Sequence, residues 1–256
     1  NLNQLFSLKD TTTLITGSAQ GIGRVAAIVC GKAGSKIAIT DKDFNSAKIL
    51  EKELLEANIQ AKAWELDINF EEDIIKTFKD VENTLGPLDV LINNAGTANR
   101  NPAEEMTTAD FEKIIRLNLT SLFICSRTAA QSMLKRKKGS IINISSIMGV
   151  TGGGPAPNSP YHASKGAVVN LTRSLANEWG PKGIRVNSIG PTYTKTRLIK
   201  ELNANKEKLQ HIIERTPLRR LAEVSEMAGG ILFLASDASS IVTGHTLMLD
   251  GGWSAI

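Results

Sequence analysis

A chain of 256 residues is long enough to bury a large core unaided, and its two cysteines exclude a disulfide scaffold and a cysteine-based structural zinc site. With 41% apolar and 22% charged residues it reads as an ordinary globular protein, and a net charge of +4, from 30 basic and 26 acidic residues, is too mild for a nucleic-acid footprint. No apolar run approaches the roughly 18 residues of a membrane span, and the opening NLNQLFSLKD lacks the pattern of a signal peptide, so a cytoplasmic location is expected.

In chain order, TTTLIT (11–16) reads as a buried strand, followed by a Gly-rich turn and an amphipathic stretch to about Ala33. KIAIT (36–40) is a second strand, 43–58 a helix, AKAWEL (61–66) a third strand, 70–84 a helix and LDVLIN (88–93) a fourth strand. A long helical pattern runs from about Thr108 to Lys138, where the basic run 135–138 suits a helix C-terminus stopped by Gly139. SIINIS (140–145), a helix from Pro160 to about Trp179, and IRVNSI (184–189) follow. A polar helical segment near 198–214, a helix at 223–235 and HTLML (245–249) complete the chain. Apolar strands alternating with helices predict an α/β fold: one doubly wound parallel sheet with helices on both faces. No linker or repeat divides the sequence, so 1–256 is read as a single domain.

TGSAQGIG (16–23) lies between the first strand and the first helix. Its glycines permit a tight turn, and the helix N-terminus offers N–H groups to a phosphate, so Gly17, Ser18, Gln20, Gly21, Ile22 and Gly23 are candidate dinucleotide contacts. Asp41 lies 18 residues beyond Gly23, at the end of the second strand. A carboxylate there accepts from ribose hydroxyls and repels a 2′-phosphate, and Gln20 brings no compensating cation. NAD(H) is therefore expected over NADP(H), although Lys42 follows directly. Asp67, with Ile68 behind it, suits either the adenine amino group or the N-cap of a helix starting near Asn69.

Three further segments narrow the class. NNAG (93–96) ends the fourth strand, Ser145–Ser146 ends the fifth, and Tyr161-His-Ala-Ser-Lys165 opens the next helix. Together with TGSAQGIG, and through the LDGGW near the end, the chain resembles the short-chain dehydrogenase/reductase family over essentially its whole length. Ser159-Pro160 suits an N-cap and first helical position, which sets Tyr161 and Lys165 side by side at i and i+4. An ammonium beside the phenol favours phenolate, fitting Tyr161 to exchange the substrate hydroxyl proton. The resemblance implies that Tyr161 and Lys165 also contact the cofactor, Lys165 at the nicotinamide ribose, that Ser146 polarises the substrate oxygen, and that Asn118, in its N-L-T context, anchors a water in a proton relay. It implies cofactor contacts from Asn94, Ala95 and Gly96 as well, with Asn93 the best match among the asparagines.

The sequence departs from the family at Pro191-Thr192, where Pro-Gly is usual; a β-branched residue there disfavours positive φ. Pro191, Thr194 and Thr196 are nevertheless expected at the cofactor. The stretch between Ser146 and Tyr161 is two residues longer than the commonest family spacing, and its glycine run is either a wall of the substrate site or an inert tip. Arg100, in NNAGTANRNP, resembles gluconate 5-dehydrogenase-like members and suits a carboxylate clamp; the alternative is a surface arginine. A lid over roughly 192–215 carries Lys195, Arg197, Lys200 and Arg215. The leading expectation is an NAD(H)-dependent oxidoreductase of a sugar acid or polyol. The alternatives are a 3-oxoacyl-carrier-protein reductase and a non-catalytic scaffold. No metal, membrane or nucleic-acid partner is expected, and the family resemblance implies a homotetramer or homodimer.

Overall fold

The inner strands lie between two helical layers, which explains why they read as continuous apolar runs rather than alternating ones. The structure, a computed structural model, describes residues 2–199 and 205–256. It runs α1 (Leu2–Leu5), β1 (Thr12–Thr16), α2 (Gly21–Lys32), β2 (Lys36–Asp41), α3 (Phe44–Glu56), β3 (Ala61–Glu65), α4 (Glu71–Leu85), β4 (Val90–Asn93) and α5 (Thr108–Ile115). Then come α6 (Ser121–Arg136), β5 (Gly139–Ile144), α7 (Ser159–Trp179), β6 (Ile184–Pro191), α8 (Lys206–Arg215), α9 (Ala228–Ala235) and β7 (Thr246–Leu249). The sheet order is β3-β2-β1-β4-β5-β6-β7, with every pair parallel.

Neighbouring strand residues serve opposite layers. Ile15 packs with Ala26 and Cys30 of α2 and Ile231 and Leu234 of α9, while Leu14 packs with Phe78 and Val81 of α4 and Ile124 of α6. The strand order reverses between β1 and β4, which opens a crevice at their carboxyl ends. The two segments that leave those ends are the glycine turn and NNAG.

Buried amides tie the centre together. Asn93 Nδ2 donates to Ser126 Oγ on α6 and to Asn143 Oδ1 on β5, both at 2.9 Å, and Asn143 Nδ2 donates to Thr172 Oγ1 on α7. Asn93 is thus a core bridge rather than the cofactor contact expected of it. In a low-dielectric interior such a ladder fixes the mutual placement of β4, β5, α6 and α7.

Several boundaries differ from expectation. The long helical pattern is two helices joined by a π-helical turn, Arg116–Thr120. Gly139 does not stop α6: Lys137 takes the left-handed conformation at φ 53°, and Gly139 already belongs to β5. The basic run is partly paired, Arg136 binding Asp89 at 2.8 Å. The stretch 223–235 divides into a 3-10 turn, Val224–Met227, and α9. Both cysteines are free and buried, with thiols pushed up to about 12 by burial. Among the described residues there is no helix long and apolar enough to cross a membrane and no cluster suited to a metal ion.

Candidate active site

The glycine turn is shaped by close approach. Gly17, at φ +63°, lies so near NNAG that a Cβ would come 3.0 Å from Ala95 Cα. Asn94 Nδ2 donates to the carbonyls of Thr16 (3.0 Å) and Gly17 (2.7 Å), latching the turn to the end of β4. Gln20 precedes α2 as its N-cap without a side-chain hydrogen bond to it, which leaves the N–H groups at the start of the helix uncapped by that residue. Ser18 is fully buried and its hydroxyl donates to Thr40 O at 3.2 Å. Its side chain therefore holds the turn against β2 and is not available to a cofactor, contrary to expectation.

Around Gly23 the space is filled by backbone. A Cβ there would strike Gly17 O and come 2.6 Å from Asn94 Nδ2 and 2.9 Å from Ser18 Cα, none of which can give way cheaply. Gly23→Ala is therefore expected to cost about 1–3 kcal/mol of stability and to weaken nicotinamide-cofactor affinity at least about tenfold by the factor of ten that 1.4 kcal/mol represents. Gly152→Ala, where nothing lies within 4 Å, should change neither. Fluorescence titration of the reduced cofactor with both variants checks this; unchanged affinity in Gly23→Ala would contradict the cradle.

Asp41 ends β2 and accepts from the backbone N–H groups of Ala19 and Asp43, each at 3.0 Å. It is thus tied to the glycine turn itself. Asp67 Oδ1 accepts from the backbone N–H and the side-chain amide of Asn69, at 2.9 and 2.8 Å. It closes the β3–α4 turn and does not cap the helix, which begins at Glu71 with Phe70 as N-cap. Ile68 is buried beneath it.

The second half of the site stands on α7. Asn158 is its N-cap residue, and Ser159-Pro160 occupy the first two helical positions, one later than expected. The Asn158 carbonyl accepts from the N–H groups of Tyr161 and His162. Lys165 lies one turn beyond Tyr161, with Nζ 5.6 Å from the phenol ring centre and 2.6 Å from Ile144 O, to which it donates. Burial pulls its ammonium down to about 8. Ser146 Oγ accepts from Met148 N at 3.1 Å and shares a hydrogen bond with Tyr161. Burial pushes the Tyr161 phenol above its ordinary value, while the Ser146 hydrogen bond and the Arg100 guanidinium pull it back. The expected depression by Lys165 is not realised by the protein groups alone: the ammonium is engaged with Ile144, and Arg100 is the cation that acts on the phenol.

Asn118 sits fully buried in the π-helical turn. Its Oδ1 accepts from Thr97 N at 2.9 Å, and its Nδ2 donates to Thr97 O at 2.9 Å and Ser164 Oγ at 3.1 Å. It staples the segment after NNAG to α7, and a Cβ on Gly96 would lie 3.1 Å from its Oδ1 and 3.7 Å from Lys165 Nζ. Gly96 therefore joins the two halves.

After β6, whose last residue Pro191 pairs with Leu249, the chain folds back over the crevice. Thr192 is not among the positive-φ residues, so its replacement of glycine carries no strain; among the described residues its buried hydroxyl has no hydrogen-bond partner. Thr194 Oγ1 donates to Thr192 O at 2.9 Å, and the Thr196 methyl lies 3.4 Å from where a Gly21 Cβ would stand. Lys195 pairs with Glu223 and is no longer a free lid cation. The Arg197 guanidinium acts on Asp43, beside the end of β2. Lys200 lies outside the described residues.

The 147–160 segment forms a wall. Gly153 packs against Arg215 and Gly154 against the Tyr193 hydroxyl. Tyr193, Met148, Ile212 and Trp253 belong to one apolar cluster with Tyr161 packed against it. Arg215 and the GGW near the end stood out in the sequence, but Tyr193 did not: its only signal was an aromatic two residues past the sixth strand.

These residues suit a nicotinamide dinucleotide: the tight glycine turn, the start of α2 and the carboxylate at the end of β2 form a cradle that a Cβ would fill, leading to Lys165 and Tyr161. Comparisons with known proteins agree. A family model described as Enoyl-(Acyl carrier protein) reductase matches residues 17–254. The chain is 38% identical over 251 residues to 5-keto-D-gluconate 5-reductase of Escherichia coli, covering 98% of each chain. It is 34% identical to gluconate 5-dehydrogenase of Gluconobacter oxydans, covering 97% of this chain and 96% of that protein. A crystal structure of a gluconate 5-dehydrogenase from Burkholderia cenocepacia in complex with NADP and tartrate superposes with a TM-score of 0.96 at 32% identity, covering 100% of both chains. With its parallel sheet, glycine turn and Ser146–Tyr161–Lys165 set, the chain belongs to the short-chain dehydrogenase/reductase family, nicotinamide-dependent oxidoreductases acting on CH–OH donors.

Proposed function

We propose that the protein interconverts a secondary alcohol and a ketone on a sugar acid, in the manner of a gluconate 5-dehydrogenase, with NAD(H) preferred over NADP(H). The observation that carries this reading is the Ser146–Tyr161 hydrogen bond with Lys165 Nζ 5.6 Å from the phenol ring centre, an acid–base set for a secondary alcohol and ketone. The sugar-acid names of the relatives support it.

A bound nicotinamide supplies the hydride acceptor or donor. The chain supplies the rest. Tyr161, a phenol held protonated by burial, donates its proton to the carbonyl oxygen in the reducing direction and takes it back in the oxidising one. Ser146 orients that phenol and offers a hydroxyl to the same oxygen. Lys165, still protonated at neutral pH, adds positive charge beside the phenol as charge develops. Asn118 acts as a positioning residue, and its relay role is part of this proposal. Pro191, Thr194 and Thr196, together with Asn94, Ala95 and Gly96, are assigned to the cofactor. A dehydrogenase screen across sugar acids, polyols, hydroxysteroids and β-hydroxyacyl thioesters, following absorbance of the reduced nicotinamide, tests the substrate class. Turnover confined to the acyl thioesters would replace this reading with the 3-oxoacyl-carrier-protein reductase.

Asp41 supports the preference for NAD(H), while NADP stands in the Burkholderia relative. kcat/KM is expected to be higher with NADH, and Asp41→Ala should move the ratio toward NADPH by about tenfold, the factor that 1.4 kcal/mol of lost charge repulsion represents. A wild-type preference for NADPH would refute the role given to Asp41. Two free, buried thiols fit a reducing cytoplasm, which a fractionation of the native cell would check. A homotetramer or homodimer is part of this reading, supported by the exposed Phe111, Phe123 and Ile241 and the half-buried β7 edge; a monomeric mass in light scattering would refute it.

A further inference from the structure

The wall facing Tyr161 carries charge that the acid–base step does not use. Trp253 is fully buried, and Tyr193 meets it edge-on, with ring centres 5.3 Å apart at 63°. Arg215, the last residue of α8, holds its guanidinium carbon 4.8 Å from the centre of the Trp253 ring. Such stacking fixes the plane of the guanidinium and leaves its N–H fork for another partner. Among the described residues no carboxylate is paired with it.

The adjoining glycines leave room for this cation. A Cβ on Gly153 would run into the Arg215 guanidinium, and one on Gly154 would come 2.9 Å from Tyr193 Oη and 3.0 Å from Met148 Cε. Neither glycine has positive φ, so their smallness rather than their flexibility is what the site uses. The Arg100 guanidinium acts on the phenols of both Tyr161 and Tyr193, and Arg215 acts on that of Tyr193. Burial pushes the Tyr193 phenol up despite the two guanidiniums, so it remains a neutral donor.

We infer that Arg215 and Tyr193 form an acid-end subsite, in which the stacked guanidinium of Arg215 receives the substrate carboxylate and the Tyr193 hydroxyl donates to an oxygen between that carboxylate and the reacting carbon. With Arg215 stacked on Trp253 and Tyr161 packed against the cluster that Trp253 and Tyr193 share, the site selects acids that react at a carbon remote from the carboxylate, and Trp253 is the positioning residue for the clamp. This deepens the sugar-acid reading and rests on it.

The test is calorimetric titration of D-gluconate and of sorbitol into the full chain saturated with NADH, a dead-end complex in which an alcohol cannot turn over. Arg215→Gln is expected to weaken gluconate about 10–100-fold, the range for losing a charge-assisted pair, and to change sorbitol less than about twofold. Arg215→Lys should recover only part of the affinity, since an ammonium reproduces neither the fork nor the stack. Gly153→Ala should weaken gluconate while leaving every charge in place. Equal weakening of both ligands by Arg215→Gln would show a merely structural arginine and overturn the clamp. Unchanged gluconate affinity would overturn it too and leave the sugar-acid reading standing. Absence of gluconate binding to the wild type would overturn both.

Discussion

Tyr161→Phe is expected to lower kcat by about 10²–10⁴-fold, the usual worth of a positioned general acid or base. The substitution removes one oxygen. It deletes the hydrogen bond to Ser146 and nothing else of the frame, because α7 is held independently by Thr172 on Asn143 and by Ser164 on Asn118. The Lys165 bond to Ile144 O is likewise untouched. Cofactor affinity, read by quenching on titration with reduced nicotinamide, should stay within about twofold, a change of only about 0.4 kcal/mol, because the glycine turn, the start of α2 and Lys165 are all unchanged. Retained turnover would refute the role given to Tyr161. Lost cofactor binding would mean that the phenol is part of the cradle and not of the proton path.

Lys165→Met separates catalysis from stability. Removing the charge beside the phenol should cost about 10²–10³ in kcat, as for a single preorganised electrostatic contact. Stability moves with a definite sign. Burial lowers the Lys165 pKa from 10.5 to about 8, so between those values the unfolded chain binds more protons than the folded one. The wild type therefore carries the full cost of a buried ammonium below pH 8 and is relieved of it as pH rises toward 10.5. Methionine carries no such cost at any pH. The difference in Tm between Lys165→Met and wild type should be most favourable to the variant near pH 7 and shrink toward pH 10. A gap that stays constant or widens would show that the ammonium is not held at an energetic disadvantage.

How much was visible in the sequence follows from the range of the interactions. The glycine turn and the Tyr161–Lys165 pair depend on neighbours within a few residues, and both are where the spacing put them. The inner strands were legible because burial on both faces favours apolar residues along their length, whereas β3 exposes Lys62 and Glu65 and β7 is half-buried. What escaped is built from distant pieces. Tyr193, Arg215 and Trp253 meet only after β6, α8 and the chain end have packed. Local sequence could not tell that Asp67 would close a turn onto Asn69, or that Ser18 and Asn93 would turn their side chains into the scaffold. Thr192 shows the converse: the strain argued for it does not arise, because the backbone there never needs a positive φ.

The π-helical turn at Arg116–Thr120 acts on the helix after it as an inserted letter acts on a reading frame. One excess residue advances the side-chain phase by about 100° relative to an unbroken α-helix. Upstream, Ile114 is set in the interior; downstream, Ser126 is brought under Asn93. Removing the excess would regularise the hydrogen bonding and put those two ends out of phase, so the irregularity that houses Asn118 is also what lets a single continuous segment face two different neighbours correctly.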